Sequence, residues 1–318
     1  MEEERQRVRG LPEWSCMWYE VNGKEGQPDY IVNLSTEVFM RTFQRFALNR
    51  IVCPDLPLRE FMRLAHELGV SGVELRNDLG NRSIIDSCTP AEVRSMAEAS
   101  GITMLSINAL QRFNLLEAIQ EVEQELVSLV DIATKIGCKA IVLCPNNDVR
   151  DQRSRERMQE ETVACLKALR HYFEESGLLG MVEPLGFSES SLRSKSDAMR
   201  AIAQSVGKNY RIVHDTFHHV LGPDSREALM NEYDIKYTGL VHISGVESDI
   251  PCAELRDPQR LLISSRDRLG NKEQIQLLTT QGYRGSFSFE PFAHEVQGLD
   301  YTQLKGALKE SLEYLASP

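Results

Sequence analysis

Eight times along this chain a short apolar run of strand length is followed by a stretch with helical periodicity. The strand segments centre near residues 50, 73, 105, 142, 182, 213, 241 and 288. Strands separated by helices in one sheet run parallel, joined by crossovers of one hand. Eight such units close into a single (β/α)8 barrel, the TIM barrel. An open doubly wound sheet is the competing architecture. No Gly-x-Gly-x-x-Gly follows the first strand, which counts against a dinucleotide-binding sheet. The chain has 318 residues, room for one barrel of about 250 residues and an appendage.

Local signals set the boundaries. Residues 1–45 carry Pro12, Trp14, Gly23, Gly26 and Pro28 with no sustained period, so an irregular N-terminal extension is expected there. The barrel is expected over 46–318. Phe46–Cys53 reads as the first strand. The run 58–68 is apolar at positions 58, 61, 62, 64, 65 and 68, a helical spacing, and Gly69 stops it. Thr89, Pro90 and Glu92 make a capping box with proline at the first helical position. Further helices are expected over 115–136, from after Asp151 to 173, and over 196–206, 226–233, 272–281 and 304–315. A polar, arginine-rich loop spans 247–270.

Chemistry gathers at the strand ends, where barrels of this kind place their active sites. Those ends read Asn49, Glu74, Asn108, Cys144, Glu183, Asp215, His242 and Glu290. A buried, unpaired acid is costly, and several together repel unless a cation or protons sit between them. Glu183, Asp215, His242 and Glu290 fall on the last four strands and offer three oxygens and one nitrogen. That set suits one divalent metal, Mn²⁺, Co²⁺, Zn²⁺ or Mg²⁺, better than a metal that seeks thiolates. Each residue also has a plainer reading. Glu183 could pair with an arginine, Asp215 could cap the next helix, and His242 could be a hydrogen-bonded interior histidine.

Charge and cysteines narrow the classes. Thirty-six basic residues against forty-seven acidic ones give a net charge of −11, which disfavours nucleic acid and anionic membranes. Seven cysteines without Cys-x-x-Cys pairs argue against a disulfide framework or structural zinc and for a cytoplasmic setting. The start, Met1-Glu-Glu-Glu-Arg, has no apolar signal segment. The pattern leaves a homo-oligomer open.

The motifs Glu183-Pro-Leu-Gly, Asp215-Thr-Phe-His218, Val241-His242-Ile and Phe289-Glu290-Pro-Phe resemble the xylose-isomerase-like superfamily of metal-dependent sugar isomerases and epimerases. Within it, Val73-Glu74-Leu-Arg76, Ile107-Asn108-Ala-Leu110 and the Asp215–His218 loop are most similar to the inosose (2-keto-myo-inositol) isomerases of myo-inositol catabolism. The resemblance runs from about Phe46 to the C-terminus. It implies metal ligation by Glu183, Asp215, His242 and Glu290. It also implies a 1,2-shift in a hydroxyketone through an enediolate, of the 2-keto-myo-inositol to 1-keto-D-chiro-inositol type. Glu183 and Glu290 would exchange the proton. His218, Arg268, Glu74, Asn108 and Gln111 would bind substrate. The family carries an arginine before a Pro-Gly pair after strand seven. Here the run is Ser265-Arg266-Asp267-Arg268-Leu-Gly270, so Arg266 or Arg268 takes that place, with Arg268 preferred. Glu189 stands where superfamily epimerases have a further acid.

The expected substrate is a neutral polyol ketone. The alternatives on this scaffold are a ketose 3-epimerase or a hydroxypyruvate-type isomerase. An abasic-site endonuclease would need more histidine and aspartate ligands and a basic face. A non-catalytic barrel would leave the metal site empty.

Overall fold

A computed structural model describes residues 43–80 and 82–317. The extension expected over 1–45 lies outside the described residues as far as residue 42. Eight parallel strands close a barrel in sequence order. They are β1 Phe46–Asn49, β2 Gly72–Arg76, β3 Thr103–Leu110, β4 Ala140–Leu143, β5 Leu179–Val182, β6 Tyr210–Asp215, β7 Thr238–Ile243 and β8 Phe287–Phe289. Closure is direct, since β1 pairs with β8 and Phe46 lies opposite Phe287. The open-sheet alternative is thereby excluded.

The helices are α1 Leu58–Leu68, α2 Pro90–Ser100, α3 Ile119–Ile136, α4 Arg155–Ser176, α5 Lys195–Ser205, α6 Thr216–Leu221, α7 Arg226–Asn231, α8 Asn271–Thr280, α9 His294–Gln297 and α10 Tyr301–Ala316. In α1, Leu58, Phe61, Met62, Leu64, Ala65 and Leu68 are buried, as the helical spacing requires. The capping box at Thr89 and Glu92 starts α2, and Gly101 ends it with φ 67°, a conformation that costs glycine little.

The pleat of each strand sorts its side chains to two sides. Leu48, Val73, Leu75, Ile141, Leu143, Val182, Ile212, Val241, Ile243, Phe287 and Phe289 point outward and join the helices in the main core. Ala140, Val142, Cys144, Met181, Val213 and Leu240 fill the barrel interior. Two residues beyond Met181, Val213 and Leu240 come Glu183, Asp215 and His242. The period of two therefore turns all three inward, one layer above the apolar plug.

Two of the elements that differ from expectation lie next to the strand ends. β1 stops at Asn49, because the Asn49 side chain accepts the Ile51 N–H at 3.1 Å and the chain winds into a 3₁₀ turn over Arg50–Val52. The stretch after Asp215, expected as a polar loop, is the short helix α6. Asp215 Oδ1 caps it by accepting the His218 N–H at 2.8 Å. Six residues are too few to display a helical period. No described helix is long and apolar enough to cross a membrane.

Candidate metal centre

Glu183, Asp215, His242 and Glu290 meet above the interior plug. Each offers one ligand atom, and the four atoms lie within 4.8 Å of one another. The register explains the convergence. Asp215 pairs with His242 across β6 and β7, and His242 pairs with Ser288 across β7 and β8, two residues before Glu290. The Glu183 N–H bonds the Leu143 carbonyl at 3.0 Å, and the Glu290 N–H bonds the Ile243 carbonyl at 2.9 Å, so both acids continue the ladder. All four are buried.

His242 stands at the centre. Its Nδ1 lies 2.7 Å from Glu183 Oε1 and 3.2 Å from Glu290 Oε2. Its Nε2 lies 3.1 Å from Glu74 Oε2. Burial alone would push the imidazolium pKa down. The carboxylates of Glu290, Glu74 and Glu183 outweigh burial and hold it well above the ordinary value of 6.5. Burial likewise would raise the Glu290 carboxyl, but His242, Arg260 and Arg76 hold it far below its usual range.

Two arginines grip Glu290 from either side. Arg76 Nη1 donates to Oε1 at 2.9 Å, joined there by Asn49 Nδ2 at 3.1 Å. Arg260 Nη2 donates to Oε2 at 2.9 Å and to Asp215 Oδ2 at 2.6 Å. The Arg260 guanidinium is stacked between Phe217 and Phe292, 5.0 and 4.7 Å from the ring centroids. Glu183 is held more loosely: among the described residues its Oε2 meets only the Cys144 thiol, at 3.6 Å.

The residues fit a divalent ion. Donors at about 2.0–2.2 Å from a common ion stand up to ~4.4 Å apart, close to the spread observed. Glu74, Glu183, Asp215 and Glu290 bring four carboxylates against the two guanidinium groups. Arg76 is shared with Asp78 at 2.7 Å, so the acids outnumber the guanidinium groups, and a divalent ion between them relieves their repulsion. The oxygen-rich set with one imidazole accepts Mn²⁺, Co²⁺, Zn²⁺ or Mg²⁺ and does not single one out.

The other expected site residues separate. His218 is 5% exposed beside the centre, with its ring edge-on to Phe187 at 5.0 Å. Its Nδ1 has no hydrogen-bond partner among the described residues. Glu74 and Asn108 are sealed beneath His242, with Asn108 Nδ2 donating to Glu74 Oε2 at 2.8 Å. Gln111 is exposed on the turn after β3. Arg268 does not reach the centre. It is half exposed, pairs with Asp249 at 3.1 Å and donates to the Ser248 carbonyl. Arg266 pairs with Glu247 at 2.6 Å, also at the surface. The guanidinium that enters from this loop is that of Arg260, which sequence reasoning missed. Its one signal was its place at the head of the apolar run Leu261-Leu262-Ile263. Glu189 accepts from Ser188 Oγ at 2.9 Å and is not among the converging ligands.

Comparison with known proteins agrees with this architecture. The family described as xylose isomerase-like TIM barrel matches residues 62–317. A xylose isomerase domain containing protein from Salmonella typhimurium is 36% identical, with TM-score 0.80, over 86% of this chain and 98% of that one. The IOLI protein, solved with a binding zinc atom, is 19% identical with TM-score 0.78, over 86% of this chain and 98% of its own. D-Psicose 3-epimerase from Clostridium cellulolyticum H10, solved with D-tagatose, is 17% identical with TM-score 0.67, over 85% of this chain and 97% of its own. The latter two likenesses speak to the fold alone. No curated protein matches the chain. With most of the barrel matched and a buried cluster of three acids and a histidine at its C-terminal end, the chain belongs to the xylose isomerase-like TIM barrel family.

Proposed function

We propose that this chain is a metal-dependent isomerase that interconverts inososes by moving a proton between adjacent carbons of a hydroxyketone. The observation that carries this reading is the convergence of Glu183 and Glu290 on one point, 2.7 and 3.2 Å from His242 Nδ1. Two carboxylates from strands that flank β6 and β7 can serve one substrate from two directions. A divalent ion held by Glu183, Asp215, His242 and Glu290 supplies Lewis-acid polarisation of the ketone. The zinc of the IOLI protein supports a divalent ion on this scaffold.

The chain's own groups divide the remaining work. Glu183 Oε2, met among the described residues by the weak Cys144 donor alone, has lone pairs open to take the α-proton. Glu290 has donors on both oxygens and is held as an anion on the facing side. The proton that Glu183 takes is the one given back at the neighbouring carbon, while the hydroxyl proton passes to the former ketone oxygen past the Glu290 carboxylate, so no proton is gained or lost. His218, whose Nδ1 has no hydrogen-bond partner among the described residues, is suited to orient a substrate hydroxyl. Both guanidinium groups at the centre are already paired with carboxylates. This favours a neutral polyol ketone over a sugar phosphate.

The test is turnover of scyllo-inosose. Demetallated protein should be inactive and Mn²⁺ or Co²⁺ should restore it, while Glu290→Gln should lose turnover even where metal is retained. Full activity in exhaustively demetallated protein would overturn the proposal. Turnover of a ketohexose at C3, with scyllo-inosose untouched, would move the site to 3-epimerisation.

A further inference from the structure

We infer that Glu74 is a positioning residue for the metal centre: it holds the Nε2–H of His242 and so commits Nδ1 to the ion. The inference rests on reading Glu183, Asp215, His242 and Glu290 as ligands of one ion.

An imidazole has two nitrogens, and the bond made by one decides what the other can do. Nδ1 of His242 points at two ligand oxygens, 2.7 and 3.2 Å away. Nε2 points the opposite way, into Glu74 Oε2 at 3.1 Å. A carboxylate accepts and does not donate. Both nitrogens face carboxylates, so it is an ion on the Nδ1 side that leaves the ring's one remaining proton on Nε2, where Glu74 accepts it.

Glu74 is built for this and for little else. Its side chain is 0% exposed, so no substrate group reaches it. Oε2 also accepts Ser106 Oγ at 2.5 Å and Asn108 Nδ2 at 2.8 Å, and Asn49 Nδ2 stands 3.5 Å from Oε1. Donors from β1 and β3 thus fix the acid on β2, and the acid fixes the histidine on β7. Asn49 ties this shell back to the centre by bonding Glu290 Oε1 at 3.1 Å. A buried carboxylate with no such task would be costly. Its negative charge also makes the coordinating nitrogen a stronger donor.

The experiment titrates Zn²⁺ and Mn²⁺ into demetallated wild type and Glu74→Gln by calorimetry. It also records ¹⁵N-histidine spectra of the Zn²⁺-loaded wild type. Expected is about 10–100-fold weaker metal binding in Glu74→Gln, which keeps the shape and removes the charge. In the spectra, His242 should carry its proton on Nε2 and its zinc on Nδ1. Equal affinity in the variant and a metal-binding wild type, or zinc on Nε2, would overturn the inference while leaving the metal centre standing. A wild type that binds neither ion would overturn the metal centre itself, and this inference with it. Should Glu74→Gln fail to fold, the wild-type spectra alone decide.

Discussion

Arg260 Nη2 lies 2.6 Å from Asp215 Oδ2 and 2.9 Å from Glu290 Oε2, so one guanidinium bridges two expected metal ligands. All three groups are buried. The arginine is thus both a clamp on ligand geometry and a counter-charge for the metal-free site.

Removing it should show both roles. Arg260→Met leaves two buried acids short of a partner, and breaking a buried pair this way costs about 3–5 kcal/mol. The loss should be larger in demetallated protein than in metal-loaded protein, where an ion also balances those acids. Thermal unfolding with and without Mn²⁺ measures it. Equal losses in the two states would contradict the shared counter-charge.

Gly186 fixes the approach of α6 to the loop after β5. A Cβ there would sit 2.3 Å from the His218 carbonyl oxygen and 2.8 Å from the Gly222 nitrogen. Gly186→Ala should cost about 1–3 kcal/mol and raise KM by displacing His218. A methyl group on Gly306, in α10, would meet nothing within 4 Å. Gly306→Ala should gain about 0.4–1 kcal/mol. Urea titration of both variants checks the opposite signs.

Lys195 opens α5 with its ammonium buried, 3.2 Å from His219 Nδ1 and 3.8 Å from Asp224 Oδ2. Burial lowers its pKa from 10.5 to about 8, against the opposing pull of Asp224 and Asp215. Between those values the unfolded chain holds the proton that the folded chain has lost, so this group adds stability as pH rises. The stability of wild type relative to Lys195→Met should therefore climb from about pH 8 to 10.5. A flat difference across that window would contradict it.

His242 holds a proton well above the ordinary range in the metal-free site. An ion must displace that proton to reach the ring. Metal binding at neutral pH should release protons, and affinity should rise with pH. Calorimetry in two buffers of different ionisation enthalpy measures the release; identical heats in both would contradict it.

The barrel was legible because each strand is a near-continuous apolar run and each helix carries its own caps and period. The four converging residues were legible for a related reason. An acid or histidine closing an apolar run has nowhere to go but the open end of the barrel. What escaped depends on contacts between distant segments. Arg260, Arg266 and Arg268 share one loop and look alike in sequence, yet only Arg260 turns inward, between Phe217 and Phe292. Glu74 reads in sequence as a strand-end acid like Glu183, but β2 runs on two residues past it to Arg76. The Ser106, Asn108 and His242 donors that enclose it lie on two other strands, so its layer beneath the centre could not be read from its neighbours in the chain.

The most direct test of the metal centre is anomalous diffraction from crystals soaked in Mn²⁺ or Zn²⁺. One strong peak is expected, bonded by Glu183, Asp215, His242 through Nδ1, and Glu290. A peak held by other residues, or a barrel mouth left without an ion at saturating metal, would contradict it.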